Sequence, residues 1–359
     1  MVSGRHMKGY INALTGLRGA AAFIVFVSHC SNWQMLPGAL GNGFGQIGVM
    51  LFFILSGFLM GHLYLNKELT VENIRLYLVS RVGRIFPLYI GLILLSVLIS
   101  TTIYPAFHYY ITDPQIIFRA LFFIDAPFEF WTIPVEVQFY FVFIIFWFLH
   151  ARNTGLPVIG VFIALTIVPS IILFLKLGHV PAIFSSYALP FFLGIATAIN
   201  YSRISQSRLC RSIAAYCAIP SLIALFLNLP AIRADAGWVI ADDFFVRTWA
   251  DPINWLVVYS IFFCAMLNVK SFNFLNTRPF VFLGEISFGF YLIHYPILKI
   301  VHSLHLPQSL QFLTSLVVIT ALAWLSYTCF EKPVNRFIRQ KFTVPGKGPV
   351  ASRVSYSSV

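Results

Sequence analysis

The stretch "LTGLRGAAAFIVFVSHC", Leu14–Cys30, decides the fold class. It is long and apolar enough to enter a lipid bilayer as a helix, yet it holds Arg18 near its start and His29 near its end. An ionisable side chain inside a membrane span is costly unless it faces protein or water, so both residues are functional candidates. Eleven positions separate them, close to three helical turns, which sets both on one face about 16 Å apart along the axis. They then line one cavity as a fixed cation and a titratable base; the plainer alternative has Arg18 snorkelling to headgroups and His29 ending the helix.

Working outward, the same pattern repeats. Of 359 residues, 59% are hydrophobic and 10% charged, whereas a soluble domain carries about a quarter charged residues. Mean hydropathy is +0.83. The apolar residues arrive in blocks of about twenty between short polar stretches, the signature of a bilayer. Ten spans are predicted, near 14–30, 46–65, 85–104, 132–149, 156–175, 187–200, 213–229, 252–268, 280–298 and 309–330. The expected fold is therefore all-α, a polytopic membrane helical bundle of about ten transmembrane helices. With the N-terminus in the cytoplasm, 18 Lys and Arg fall in inward connections and 5 in outward ones, as the positive-inside rule requires. Both termini are thus read as cytoplasmic, with a membrane domain over 1–331 and a basic tail over 332–359. The tail is expected to be frayed near anionic headgroups.

Other classes fit poorly. The net charge of +12 is spread among short connections, whereas a nucleic-acid interface gathers basic residues on one face. Five cysteines show no CxxC or metal-ligand spacing, so neither a disulfide framework nor a zinc site is expected. Adjacent Asp242 and Asp243 are read as solvated loop acids rather than metal ligands, and no metal is expected. The N-terminal "MVSGRHMKGYINA" lacks the apolar core of a cleavable signal peptide.

Further polar residues fall within apolar runs. In "FWTIPVEVQFYFVF" Glu136 and Tyr140 share a helix face, with Trp131 before them. A carboxylate there needs a partner, and a histidine on another helix would serve; a structural ion pair is the alternative. "RVGRIFPLY" puts Arg81 and Arg84 one turn apart at the entrance of the third span. Paired guanidinium groups suit a phosphate-bearing ligand, or anchor to headgroups. Ser56 and Gly57 inside the second span either let helices approach closely or make room for a ligand. His294 is the remaining intramembrane ionisable group, and Glu285 stands near the start of its span.

Taken together, "LTGLRG" with its following His29, "GVMLFFILSGFL", "RVGRIFPLY", "WTIPVEVQFY", "FLGEISFGFYLIHYPIL" and "FEKPVNRF" resemble, in order and over essentially the whole chain, the acyltransferase-3 family of integral membrane O-acyltransferases. That resemblance implies transfer of an acyl group, most often acetyl from acetyl-CoA, to hydroxyls of cell-surface sugars at the inner (plasma) membrane. It implies that His29 is the catalytic histidine and Arg18 its motif companion. It also places Arg84 in the Arg-Ile-x-Pro element, Glu136 in the Trp-Glu element, and Tyr291 and His294 in the Tyr-Leu-x-His element. Pro134 before Glu136, and Glu285 where relatives are often basic, depart from the pattern. With little chain after the last span, a stand-alone member is expected, one that modifies exopolysaccharide, O-antigen or nodulation-factor sugars.

The expected chemistry has His29 as general base toward an acceptor hydroxyl that attacks the thioester, with Glu136 orienting the imidazole. Arg18, Arg81 and Arg84 are expected to bind the coenzyme A part of the acyl-CoA donor, a substrate rather than a resident cofactor. Ser56, Trp131, Tyr140, Tyr291 and His294 are the expected substrate-binding positions. The partners are then acyl-CoA, a polysaccharide, lipid-linked oligosaccharide or lipo-oligosaccharide acceptor, and the bilayer. A transporter or flippase for a lipid-linked sugar is the competing reading, because intramembrane Arg, His and Glu also line transport paths.

Overall fold

A computed structural model describes residues 2–103, 109, 111–152, 160, 164, 168, 172, 175, 184–237 and 246–342. Among these no strand occurs. A backbone in lipid must satisfy its hydrogen bonds within one segment, which selects helices. Six helical stretches are long and apolar enough to cross a membrane, and eight if two bent pairs each count as one span. The expected span 156–175 lies largely outside the described residues. That expected at 187–200 is a helix, Ala188–Gln206, outside that set of eight.

The chain divides into two units. The first comprises residues 1–62 and 187–320. It holds α1 (Val2–Asn32), α2 (Gly45–Tyr64, as far as His62), α6 (Ala188–Gln206), α7 (Arg208–Leu227), the short α8 (Pro230–Asp235), α9 (Pro252–Met266), α10 (Arg278–Glu285), α11 (Ser287–Ser303) and most of α12 (Gln308–Ser326). Helix α1 is its axis: 72% of the α1 window is buried, against 17% for α7. Small residues make the close packing possible. A Cβ on Gly284 of α10 would lie 1.9 Å from the Thr15 carbonyl oxygen, and one on Gly16 1.9 Å from that of Leu275, so backbone rests on backbone.

The expected span 280–298 is made of two helices, α10 and α11, bent by 78°. Hydropathy does not register such a bend. The break falls at Ile286, between the carbonyl end of α10 and Ser287, whose hydroxyl donates to the Gly284 carbonyl at 2.9 Å. Helix α9 likewise bends by 80° into the turn Lys270–Asn276.

The second unit comprises residues 63–186 and 321–359, with α3 (Val71–Leu98), α4 (Pro114–Leu121), α5 (Thr132–Ala151) and α13 (Lys332–Phe342). Helix α3 starts at Val71, well before the expected 85. Thr70 caps it by accepting from the Asn73 N–H at 3.1 Å, and Glu72 sits in its first turn, both of which stabilise an N-terminus. Asp113 caps α4 in the same way, from the Gln115 N–H at 2.7 Å. The expected frayed tail begins as α13, which packs along α3.

Candidate active site

His29 stands in the last turn of α1, half-buried. Its ring centroid lies 5.1 Å from that of His294 and 4.8 Å from that of Tyr295, both on α11. Trp33 continues the helical bonding, its N–H reaching the His29 carbonyl at 3.1 Å, so the two side chains are one turn apart. The indole ring meets Tyr295 at 6.0 Å and His302 at 4.9 Å. Its buried Nε1 has no hydrogen-bond partner among the described residues, which makes it an open donor in the cluster.

His294 is buried, and its Nδ1 is hydrogen-bonded to the Tyr291 carbonyl oxygen. A carbonyl only accepts, so Nδ1 is the donor in this contact. The Tyr291 ring lies 5.6 Å from His294 and 6.2 Å from Phe52 of α2. The first unit thus brings His29, His294 and Tyr291 together. An imidazole is a side chain that can take up and release a proton, and here a second imidazole and aromatic rings stand beside it.

Arg18 is buried lower on α1, and its Nη2 donates to the Gly284 carbonyl at 2.8 Å. Gly284 is in the last turn of α10, where carbonyls lack helical partners and the dipole is negative. A guanidinium there steadies the elbow from which α11 departs. Ser56 lies on α2 beside Gly57, whose Cβ would fall 2.1 Å from the Phe191 carbonyl oxygen of α6, so the small residue at 57 admits a close helix crossing.

The other expected residues belong to the second unit. The Arg81 guanidinium stands 6.0 Å over the Tyr140 ring, Tyr140 donates to Glu136 at 2.7 Å, and Tyr77 donates to the Tyr140 carbonyl at 3.0 Å. Arg81, Tyr140 and Glu136 are therefore one cluster. Arg81 is 5% exposed and also donates to Ser80 at 2.9 Å, while its Nε has no hydrogen-bond partner among the described residues. It lies inside α3 rather than at its mouth. Arg84 is one turn further on, half-buried. Trp131 ends the turn Phe128–Trp131 that leads into α5. Of the expected catalytic residues, His29 lies in the first unit and Glu136 in the second.

Tyr295, Trp33 and Gly284 were not expected. Trp33 was legible four positions after His29, but nothing in the spacing ties residue 29 to residue 295. Among the described residues no three His, Cys, Asp or Glu gather as a metal site; Asp242 and Asp243 lie outside the described residues.

Comparison with known proteins gives the family. The family described as "Acyltransferase domain" matches residues 11–329. The chain is 25% identical to "Putative peptidoglycan O-acetyltransferase YrhL" of Bacillus subtilis (strain 168), over 91% of this chain and 55% of that protein. It is 21% identical to "O-acetyltransferase OatA" of Staphylococcus aureus (strain NCTC 8325 / PS 47), over 91% and 57%. It is 26% identical to "Putative acetyltransferase ORF330" of Acidianus two-tailed virus, over 80% and 83%. The chain therefore spans little more than half the length of YrhL and OatA. No solved structure matches it. With the family match running from the middle of α1 to just past α12, the chain belongs to the acyltransferase-3 family.

Proposed function

We propose that this protein is a multi-pass membrane O-acyltransferase of the plasma membrane. It moves an acyl group, acetyl in the first instance, from coenzyme A to a hydroxyl of a cell-surface or lipid-linked carbohydrate. The observation that carries the reading is the His29 imidazole held against His294 and Tyr295 on α11. The names of YrhL and OatA, both O-acetyltransferases, support it.

In the proposed reaction His29 takes the proton of the acceptor hydroxyl, and the oxygen attacks the thioester carbonyl carbon. The carbon–sulfur bond of the resulting tetrahedral species then breaks. The imidazolium returns its proton to the departing sulfur, leaving an ester and free coenzyme A. The indole N–H of Trp33 is the proposed donor to the developing oxyanion. His294, fixed by its bond to the Tyr291 carbonyl, is proposed to position His29. Arg81 and Arg84 are proposed for the donor's phosphates, which guanidinium groups bind in a forked manner. Glu136 enters as a required carboxylate, and Ser56, Trp131, Tyr140 and Tyr291 as substrate-side residues. For Arg18 the bond to Gly284 favours positioning of the elbow over direct contact with the donor.

Mass spectrometry of surface glycans from cells with the wild-type gene, without it, and with His29→Ala tests the proposal. Acetyl esters present only with the wild-type gene are the expected result. Unchanged glycans in the deletion strain would contradict it.

A further inference from the structure

At the end of the first unit where α1 finishes and α2 begins, a second polar feature stands apart from the His29 cluster. A cavity of about 340 Å³ opens between the start of α2, the end of α7, α8 and the start of α9. That is the lower end of the range for small-ligand pockets, ~300–1,000 Å³. Ile47 and Met50 give it an apolar side, and Gln46, Asn228, Arg233 and Asn254 a polar one.

The polar side is cross-linked before any ligand arrives. Arg233 is ion-paired with Asp251 and donates to the Asn228 carbonyl oxygen at 3.2 Å. Asn228 donates to Asn254, which donates to the Thr248 backbone carbonyl at 2.8 Å. Asp251 in turn accepts from the Ile253 N–H at 2.8 Å. Arg233, Asp251, Asn228 and Asn254 are each less than a tenth exposed. Opposite them the Gln46 side-chain oxygen accepts from the Trp249 indole at 3.1 Å, and Gln46, half-buried, lines the cavity with an amide N–H₂ still to place. Burying such a network is expensive, and well-packed apolar residues hold a fold together as firmly. Here the network lines an open cavity.

Its charge says which kind of ligand would fit. Asp251 neutralises Arg233, so the wall offers amide donors and acceptors with no net charge. Such a surface matches hydroxyls and ring oxygens and gives a phosphate or carboxylate no free cation. The α2 wall of the cavity also packs on the helix that carries the proposed base. A Cβ on Gly45 would lie 3.2 Å from that of Ser28, so the helix carrying Gln46 presses on α1 one residue before His29. We propose that this cavity is the acceptor subsite and that it takes an uncharged, hydroxyl-rich sugar ring. The assignment rests on the acyl-transfer reading for its purpose, not for its binding chemistry.

Saturation-transfer NMR on the full chain in nanodiscs, with no acyl donor present, tests it. The probes are the methyl glycosides of glucose, galactose, mannose and N-acetylglucosamine, together with methyl glucuronide. At least one neutral glycoside is expected to bind saturably, and the glucuronide about tenfold more weakly or less. Gln46→Glu keeps an acceptor for Trp249 but removes the amide donors, and is expected to weaken the neutral glycoside about tenfold. Ala231→Trp, which fills the cavity from a lining position that takes no part in the network's hydrogen bonds, is expected to abolish binding with the unfolding midpoint unchanged. No neutral glycoside bound, equal affinity in both variants, or preference for the glucuronide would overturn the proposal. His29→Ala is expected to bind sugar like the wild type. Acetyl transfer lost in His29→Ala with no sugar bound by the wild type sinks the subsite alone. Sugar bound with transfer undiminished in His29→Ala sinks the base alone.

Discussion

Arg18→Met separates two roles for the intramembrane cation. Methionine keeps much of the buried length of the side chain but removes its hydrogen-bond donors. The bond to the Gly284 carbonyl, from Nη2 at 2.8 Å, is lost with them. A hydrogen bond to a charged group contributes about 1.5–3 kcal/mol. Gly284 keeps its bond from Ser287, so no buried carbonyl is stranded and the cost falls in the lower part of that range, about 2 kcal/mol. The functional effect follows from the bend. Arg18 steadies the 78° elbow from which α11 carries His294 and Tyr295 to His29, and a misplacement of about 1 Å costs on the order of 100-fold in rate. Steady-state kinetics in nanodiscs should show kcat down by roughly 10- to 100-fold with the acetyl-CoA KM changed less than about twofold, since the bond to Gly284 places Arg18 at the elbow. Arg18→Lys, which keeps a donor and the charge, should recover part of kcat. A tenfold or larger rise in the acetyl-CoA KM at unchanged kcat would refute this reasoning and give Arg18 to the donor.

Other outcomes follow from the same geometry. Gly284→Ala sets a methyl group 1.9 Å from the Thr15 carbonyl oxygen and should destabilise the first unit by about 3 kcal/mol, read as a lowered denaturation midpoint. Trp33→Phe removes the open indole donor and should lower kcat by about 100-fold or more at unchanged acceptor KM. Tyr140→Phe removes the 2.7 Å bond to Glu136 and should cost about 1–2 kcal/mol, while Tyr77→Phe, losing a neutral bond to a backbone carbonyl, should cost less; both are read by denaturation. Helix α13 exposes Phe337 and Phe342 beside Arg336 and Lys341, a pattern that suits an anionic bilayer surface at about 1 kcal/mol per basic residue. Arg336→Glu with Lys341→Glu should erase any extra stability of the protein in anionic over neutral nanodiscs.

What the sequence made legible was what local spacing encodes. The apolar blocks predict the helical class, and eleven positions from Arg18 to His29 set both on α1. Glu136 and Tyr140, four apart, are hydrogen-bonded as their shared face suggests. Boundaries slipped where polarity hid a helix: the first turns of α3 carry Glu72 and Arg75 and read as a loop, although Thr70 is a good cap. That slip left Arg81 at a helix mouth when it lies buried within the helix. The elbow at Ile286 escaped because a hydropathy window averages over a bend; its local signs were Gly284, Glu285 and Ser287 in succession. The contacts of His29 with His294 and Tyr295, and the network around Arg233 and Asp251, join residues far apart in the chain. No periodicity encodes those pairings: the packing of α1 on α10 and α11 creates the first, and the meeting of the end of α7, α8 and the start of α9 the second.

Removal of the acceptor's proton by the His29 imidazole during acyl transfer is open to measurement. Single-turnover transfer from radiolabelled acetyl-CoA to a neutral glycoside, by purified wild type and His29→Ala in nanodiscs, tests it most directly. A rate at least 100-fold lower in the variant, the contribution of a general base, with sugar binding retained, is the expected result. A variant that transfers acetyl within a few-fold of the wild-type rate would contradict it.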